Sequence, residues 1–295
     1  MMRTKLLLLG NTGQLGWELN RTLLTLGEVV AIDYPDINMA DPASIRQITQ
    51  DVRPNIILNA TAYTNVDQAE SEQDLAMAIN GTGPGVLAEE AHKLDAFLIH
   101  YSTDFVFDGR KGEAYTEDDS THPINVYGET KLAGEIAIQN SDFDYLILRT
   151  SWVYSLRRPC FVTKVLEWAR QREVLRIVDD QVSTPTWSRT LAETTAQIIA
   201  QGKGQPLDYL REKSGLYHLA DSGLCSRYEW AQAIIKRASN HEELLVKEIQ
   251  PAKSSEFPTP ARRPVMSPLI CTKFERTFGI SMPLWDVALF EAFQG

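Results

Sequence analysis

Five short apolar runs occur in the first half of the chain, and each is followed by a stretch in which apolar residues recur at helical spacing. The runs lie at 5–9, 29–32, 56–58, 97–100 and 145–148. Uninterrupted runs of this length are typical of strands buried on both faces of a parallel sheet. The helical stretches lie at 17–26, 41–52, 67–79, 83–94 and from 127 onwards. This alternation predicts an α/β fold with a doubly wound parallel sheet.

Beyond residue 150 the pattern is less regular. It predicts helices at 161–170 and 191–200, strands at 174–178 and 216–219, and a helix opened by the capping box of Ser226 and Glu229. The segment 202–214 is rich in glycine and charge and is interpreted as a surface connection. Three prolines make 257–264 an irregular, extended loop. We therefore expect one domain over residues 1–150 and a smaller C-terminal lobe over 151–295, with some segments returning to the first domain.

Composition and charge narrow the classes of partner. The chain of 295 residues is 43% hydrophobic and 23% charged, as in ordinary globular proteins. Its net charge of -10 repels phosphate backbones and anionic membranes, so we expect neither nucleic acid nor a membrane as partner. The apolar run within residues 1–10 is too short for a signal peptide. Three widely spaced cysteines form no disulfide framework, which suits the cytoplasm.

A glycine-rich loop joins the first predicted strand to the first helix. Gly10, Gly13 and Gly16 follow the spacing Gly-x-x-Gly-x-x-Gly, which lets the backbone approach a pyrophosphate at a helix N-terminus. Asp33 ends the second strand, where a carboxylate commonly binds the adenosine ribose of a dinucleotide. Asp33 could also be a turn or capping residue, because Pro35 follows, but the preceding loop favours the ribose role. These features make the predicted sheet Rossmann-like.

The carboxyl ends of the first three strands should meet along one edge of the sheet. Small residues at 60–62 would permit close approach of a ligand there. We expect the cofactor to contact Gly10, Thr12, Gly13, Gln14, Leu15, Asp33, Asn38, Met39, Ala60, Thr61 and Ala62.

Tyr127 and Lys131 stand four residues apart and would share one face of a helix. A shielded ammonium beside the phenol would lower the tyrosine pKa from about 10 toward neutrality and allow proton transfer in a redox step. Alone, the pair is more often a solvated aromatic beside a lysine. The glycine loop, and Ser102 and Thr103 at the fourth strand, favour the catalytic interpretation.

Arg262 and Arg263 are adjacent on the proline-rich loop. They could form a solvated basic turn or bind a diphosphate, and the residues alone leave both interpretations open. The histidines and cysteines show no metal-ligand spacing, so we predict no metal site. No Gly-x-Ser-x-Gly elbow indicates a serine hydrolase.

Taken together, Gly10-x-x-Gly13-x-x-Gly16, Thr103 and Tyr127-x-x-x-Lys131 resemble the extended short-chain dehydrogenase/reductase superfamily. Within it, the chain is similar to the dTDP-4-dehydrorhamnose reductases over nearly its whole length. The segments that carry this closer resemblance are 13–18, 101–107, 126–131, 149–154 and 259–264.

The resemblance implies reduction of the C4 ketone of dTDP-4-dehydro-L-rhamnose to dTDP-L-rhamnose, with NADH or NADPH. Tyr127 would protonate the C4 alkoxide, Lys131 would lower the tyrosine pKa and hold the nicotinamide ribose, and Thr103 would hydrogen-bond the reacting oxygen. Residues 1–150 would bind the dinucleotide, and 151–295 mainly the substrate. Tyr127 and Lys131 would also contact the cofactor. The implied substrate contacts are Thr103, Asp104, Tyr127, Trp152, Arg262 and Arg263.

Two alternatives remain open at this point. One is a sugar-nucleotide epimerase or dehydratase on the same scaffold. The other is a non-catalytic subunit similar to the regulatory subunit of methionine adenosyltransferase, which the intact Thr103, Tyr127 and Lys131 argue against. Some relatives are dimers bridged by magnesium. Glu18 matches one of their carboxylate positions and Arg189 replaces a second, so we expect a monomer or weak dimer without metal.

Overall fold

A computed structural model describes residues 4–294 of the chain. Its strands are β1 Lys5–Leu9, β2 Glu28–Ile32, β3 Ile56–Asn59, β4 Phe97–Thr103, β5 Tyr145–Thr150, β6 Val153–Tyr154, β7 Val174–Val178, β8 Val182–Ser183, β9 Thr186–Trp187, β10 Gly215–His218, β11 Cys225–Ser226 and β12 Glu248–Ala252. Its helices are α1 Gln14–Thr22, α2 Pro42–Val52, α3 Val66–Ala69, α4 Gln73–Met77, α5 Gly83–Lys93, α6 Val126–Gln139, α7 Phe161–Gln171, α8 Ser188–Ala200, α9 Pro206–Arg211, α10 Arg227–Ala238, α11 Thr272–Phe278 and α12 Trp285–Ala292.

Six of these strands form one parallel sheet in the order β10-β5-β4-β3-β1-β2. From β1 the chain goes to β2 on one side and to β3, β4 and β5 on the other, so the winding reverses beside β1. Ligands of open α/β sheets bind at such a reversal, outside the carboxyl ends of the strands. The predicted doubly wound fold is confirmed.

The run of leucines in β1 explains why the sheet is covered on both faces. Leu6 and Leu8 belong to one hydrophobic cluster and Leu7 and Leu9 to another, because successive side chains of a strand point to opposite faces. All four are fully buried. Burial of this kind holds the strand, and hence the glycine loop that follows it, in a fixed place.

The chain after residue 150 contributes to two regions. The strand pairs β6–β9, β7–β12 and β8–β11, with α7, α10 and α12, enclose a third cluster around the buried Trp230. In contrast, β10 pairs with β5 in the large sheet, and α8 packs against α1. The boundary at residue 150 falls between β5 and β6 and stays a prediction.

Several element boundaries differ from those expected. The strand β4 runs to Thr103, three residues past the predicted end, so Ser102 and Thr103 lie within it. The segment 202–214 is not only a connection, because it contains α9, with Pro206 at its first turn and Leu210 buried. Pro206 was the missed signal, since proline is favoured at the first position of a helix.

The interval predicted as one helix at 67–79 is divided into α3, α4 and a π-helical turn over Ala78–Thr82. Within residues 4–294, no helix combines the length and the apolar character needed to cross a membrane.

Candidate active site

The glycine loop closes tightly around the start of α1. Gly10 has φ +85, and a Cβ atom there would lie 2.9 Å from the carbonyl oxygen of Ala60. A Cβ atom on Gly16 would lie 1.9 Å from the carbonyl oxygen of Gly10, so the loop and helix can touch only because both residues are glycine. Gly13 is the N-cap and offers no side-chain cap to the first-turn amides. These amides suit an anion such as a pyrophosphate.

A cleft of about 560 Å³ lies over this loop at the carboxyl edge of the sheet. It is lined by every residue that the sequence predicts as a cofactor contact, including Asp33, Asn38, Met39, Tyr127 and Lys131. Sequence reasoning missed Tyr34, Ile37, Thr64, Thr150, Val153 and Arg158, which also line the cleft. The uncapped N-terminus of α1 fits the pyrophosphate of a dinucleotide, and the carboxylate of Asp33 beside it fits the adenosine ribose.

Lys131 is buried at 2% exposure behind this cleft. Its Nζ donates a hydrogen bond of 2.7 Å to the carbonyl oxygen of Tyr101 and lies 3.3 Å from Nε2 of His100. Burial lowers the pKa of Lys131 to about 8. Burial and the charge of Lys131 also hold the pKa of His100 well below its usual value, so the imidazole is neutral. The lysine is therefore fixed by the end of β4.

Tyr127 lies one helical turn from Lys131, and here one expectation is wrong. Burial raises the pKa of Tyr127 to about 12. The Thr103 hydroxyl partly offsets this increase, and the charge of Asp104 adds to it. The spacing argument failed because desolvation dominates and Lys131 donates to the Tyr101 carbonyl instead. The phenol is consequently protonated at neutral pH, which is the form that can donate a proton.

The end of β4 separates two neighbouring hydroxyls. Ser102 donates a hydrogen bond to Glu135, whose carboxylate is also paired with Arg149 at 2.6 Å. Thr103 points the other way. Its hydroxyl donates to Asp104 Oδ1 at 3.2 Å and lies near enough to Tyr127 to lower the pKa of the phenol. Thr103, and not Ser102, is therefore the hydroxyl that stands beside the phenol.

Asp104 is buried just past this strand end. Its Oδ2 accepts hydrogen bonds from Ser267 at 2.5 Å and Ser183 at 3.2 Å. Burial raises the pKa of Asp104 to about 6, despite these hydroxyl donors. Asp104 thus joins the strand end to two segments of the second lobe.

Gly128 sets the distance between the tyrosine helix and the strand end. A Cβ atom at Gly128 would lie 2.2 Å from the carbonyl oxygen of Phe105. Asn125 caps the helix by accepting from the Gly128 amide at 2.8 Å, and its Nδ2 donates to the carbonyl of Arg262 at 2.7 Å. The cap therefore connects Tyr127 to the arginine loop.

A larger cavity of about 1020 Å³ adjoins the cleft, and Pro159 lines both. Although the chain is strongly acidic, this cavity is lined by many cations: Arg110, Lys164, Arg172, Arg176, Arg227, Arg262 and Arg263. A concentration of guanidinium groups favours an anionic ligand.

The two arginines of the proline-rich loop differ in their surroundings. Arg263 donates to both carboxylate oxygens of Asp67, at 3.0 and 2.6 Å, and this hydrogen bonding is the main cause of the lowered pKa of Asp67. Arg262 is exposed, and within residues 4–294 its side chain makes no hydrogen bond or ion pair. Of the two, Arg262 is the one available to a ligand.

Trp152, a predicted substrate contact, lines neither cavity directly. It lies next to Val153, which lines the cleft, and its ring contacts Arg227, which lines the cationic cavity. Its backbone conformation is unusual. Its φ of +40 lies in the left-handed region, which is rare for a bulky residue and marks local strain. The indole stacks on Trp230 with ring centroids 5.5 Å apart. Packing therefore holds in place the indole that the family resemblance implies as a contact of the substrate.

The family model for the RmlD substrate binding domain matches residues 4–295. The dTDP-4-dehydrorhamnose reductase of Escherichia coli K12 is 39% identical, over 96% of this chain and 95% of the relative. That of Burkholderia thailandensis is 38% identical, over 97% and 96%.

The chain belongs to the dTDP-4-dehydrorhamnose reductase family. Among solved structures, the family member from Clostridium acetobutylicum has a TM-score of 0.90 at 33% identity, covering 99% of both chains. The member from Bacillus anthracis, solved in complex with NADP, has a TM-score of 0.89 at 31% identity, with the same coverage. The resemblance inferred from the sequence is confirmed.

In this member of the dTDP-4-dehydrorhamnose reductase family, Glu18 and Arg189 are neighbours. Arg189 Nε lies 3.6 Å from Glu18 Oε2, and Glu18 is almost fully buried. In the part of the chain that the structure describes, no three His, Cys, Asp or Glu side chains are grouped as metal ligands. The arginine thus supplies the positive charge at this carboxylate.

Proposed function

We propose that the protein reduces the C4 ketone of dTDP-4-dehydro-L-rhamnose to dTDP-L-rhamnose, using NADH or NADPH. The proposal is supported by Tyr127 and Lys131 in the lining of the dinucleotide cleft, by Thr103 beside the phenol, and by the cationic cavity that adjoins the cleft. When bound, the reduced nicotinamide supplies the hydride to C4. The chain's own residues supply the proton and orient both ligands.

Tyr127 is the proton donor. Its raised pKa keeps the phenol protonated until negative charge develops on the C4 oxygen. Thr103, whose hydroxyl donates to Asp104 in the free protein, turns to donate to the same oxygen and fixes its position. Lys131 lines the same cleft and is held by the Tyr101 carbonyl, so its remaining N–H groups are placed to donate to the cofactor.

The cofactor contacts follow from the cleft. The first-turn amides of α1 bind the pyrophosphate, Asp33 accepts from the adenosine ribose, and Lys131 donates to the nicotinamide ribose. The substrate occupies the cationic cavity with its sugar beside Trp152. Arg262 binds the diphosphate, because Asp67 already occupies Arg263.

The partners are accordingly a nucleotide sugar and a dinucleotide, and neither nucleic acid nor membrane. We place the enzyme in the cytoplasm as a monomer or weak dimer. The acidic chain and its widely spaced cysteines support this placement.

The test is direct. Purified protein is supplied with dTDP-4-dehydro-L-rhamnose and with NADH or NADPH in turn, and loss of the reduced-nicotinamide absorbance is followed. NMR of the product should show dTDP-L-rhamnose, with hydrogen from the cofactor at C4. Failure to oxidise either cofactor, with the fold intact by circular dichroism, would contradict the proposal and favour a non-catalytic subunit.

A further inference from the structure

Arg227 is a cation at the inner wall of the cationic cavity, and neither a motif nor the family resemblance had singled it out. It is the first residue of α10, directly after the N-cap Ser226, and its amide donates to the carbonyl of Gln181 at 3.1 Å. The side chain lines the cavity. The helix start therefore fixes where this guanidinium enters the cavity.

Aromatic rings hold the Arg227 guanidinium in place. Its central carbon lies 3.5 Å from the ring centroid of Trp152, 4.7 Å from that of Phe161 and 5.4 Å from that of Trp230. Stacking of this kind uses the faces of the guanidinium and leaves its N–H groups, which point outward in its plane, free to donate. The rings thus orient the donors without occupying them.

The same guanidinium lacks a hydrogen-bonding partner. Within residues 4–294 it donates no hydrogen bond and forms no salt bridge, whereas the buried Arg149 is paired with Glu135 and Arg263 with Asp67. Burial lowers the pKa of Arg227 to about 9, and the charge of Asp104 is the largest effect opposing this. The side chain is half-buried at the cavity wall, so its N–H groups are open to an anionic ligand in the cavity.

The position of Arg227 indicates which part of the ligand it meets. Asp104, whose charge acts on Arg227, directly follows Thr103 at the catalytic end. Arg263, whose charge also acts on it, belongs to the proline-rich loop that lines the same cavity. Between the reacting ketone and a diphosphate lies one sugar ring. The anion nearest the sugar is the phosphate attached to it.

We infer that Arg227 binds the β-phosphate of the nucleotide sugar, the phosphate joined to the sugar, through the N–H groups that its stack on Trp152 leaves free. The inference rests on the proposed function for its substrate class. Because one residue contacts both Trp152 and the phosphate, Arg227 fixes the sugar ring relative to Tyr127. It is a binding and orienting residue and transfers no proton.

The test compares two ligands that differ by this phosphate. Binding of dTDP and dTMP to the protein in the presence of NADP⁺ is measured by calorimetry for the wild type, Arg227→Met and Arg227→Lys. Arg227→Met should weaken dTDP binding by about 10- to 100-fold and dTMP binding by no more than about 2-fold. Arg227→Lys should recover part of the lost affinity, because lysine keeps the positive charge but lacks the planar pair of N–H donors of a guanidinium.

Arg176→Met is the matched control. Arg176 lines the same cavity, and its replacement by Met removes the same charge, but the Arg176 guanidinium is already paired with Glu256. It should leave the ratio of dTDP to dTMP affinity unchanged. Equal weakening of both ligands by Arg227→Met, or no weakening of dTDP, would overturn the inference. Since binding is measured without turnover, a wild type that fails to reduce the keto sugar contradicts the proposed function and leaves this comparison interpretable.

Discussion

Asp33 and Thr12 are joined by two hydrogen bonds across the dinucleotide cleft. Asp33 Oδ2 accepts from the Thr12 amide at 3.1 Å and from its hydroxyl at 2.5 Å, while Oδ1 accepts from the Tyr34 amide at 2.8 Å. The carboxylate is thus held in place beside the glycine loop. A 2′-phosphate on the adenosine ribose would meet this negative charge.

Cofactor preference should follow from that carboxylate. We expect NADH to be accepted at least as well as NADPH, because Asp33 repels a 2′-phosphate and can accept from a 2′-hydroxyl. Asp33→Ser should shift the ratio of kcat/KM values toward NADPH by about 10-fold or more, equivalent to about 1.4 kcal/mol. Initial rates with both cofactors measure this. A strong NADPH preference in the wild type would refute the argument.

Tyr127→Phe should lower kcat by about 10²- to 10⁴-fold, the usual contribution of a positioned proton donor. Cofactor affinity should change little, because the variant keeps the aromatic ring and its edge-on contact with Phe105. Stopped-flow turnover and fluorescence titration with NADH separate the two effects. Near-normal turnover of Tyr127→Phe would mean that another group donates the proton. Thr103→Val, which removes the neighbouring hydroxyl, is the comparison variant.

The pH dependence of the reduction rate should reflect the ionisation of Lys131. Its pKa is lowered to about 8, so the ammonium is present below that pH and lost above it. Because the charged ammonium is the stronger donor to the nicotinamide ribose, kcat should be high below about pH 8 and fall as pH rises through it. Lys131→Arg, which stays charged, should keep a flatter alkaline limb at reduced rate. A wild-type profile that is flat to about pH 10 would contradict this role.

Dehydration should be absent. Elimination of water needs a base for a carbon-bound proton and an acid for the leaving hydroxyl. Asp104 supplies one carboxyl, but Phe105 stands next to it and transfers no proton. With dTDP-glucose and NAD⁺ we therefore expect no 4-keto-6-deoxy product by NMR. Its formation would move the protein to the dehydratase alternative.

Assembly should not depend on a metal. Arg189 lies beside Glu18 at 3.6 Å and would oppose a cation there. Light scattering should give the same mass with added magnesium and with EDTA. Arg189→Glu is the informative variant, because it restores a second carboxylate. A wild-type dimer that EDTA dissociates would show the prediction to be wrong.

Local spacing was enough to predict part of the candidate site. The glycine loop is a contiguous stretch, and Tyr127 and Lys131 are one helical turn apart, so both features depend on short-range geometry. Alternation along β4 likewise separated Thr103 from Ser102. The family resemblance supplied the chemistry that the spacing alone left open.

Other features depend on contacts between distant parts of the chain. Arg263 is engaged by Asp67, 196 residues away, and Arg227 reaches Trp152 only once the second lobe has folded. The raised pKa of Tyr127 is a consequence of burial, which spacing does not encode. The sequence therefore predicted a set of residues that line one cleft, whereas the different surroundings of the arginines depend on contacts that it does not encode.

The return of β10 to the large sheet constrains how the protein is made. Synthesis delivers β5, which ends at Thr150, well before Gly215 and His218 emerge from the ribosome. During that interval the β5 edge has no neighbour and could pair with another chain. The six-stranded sheet therefore cannot be complete until β10 has been translated.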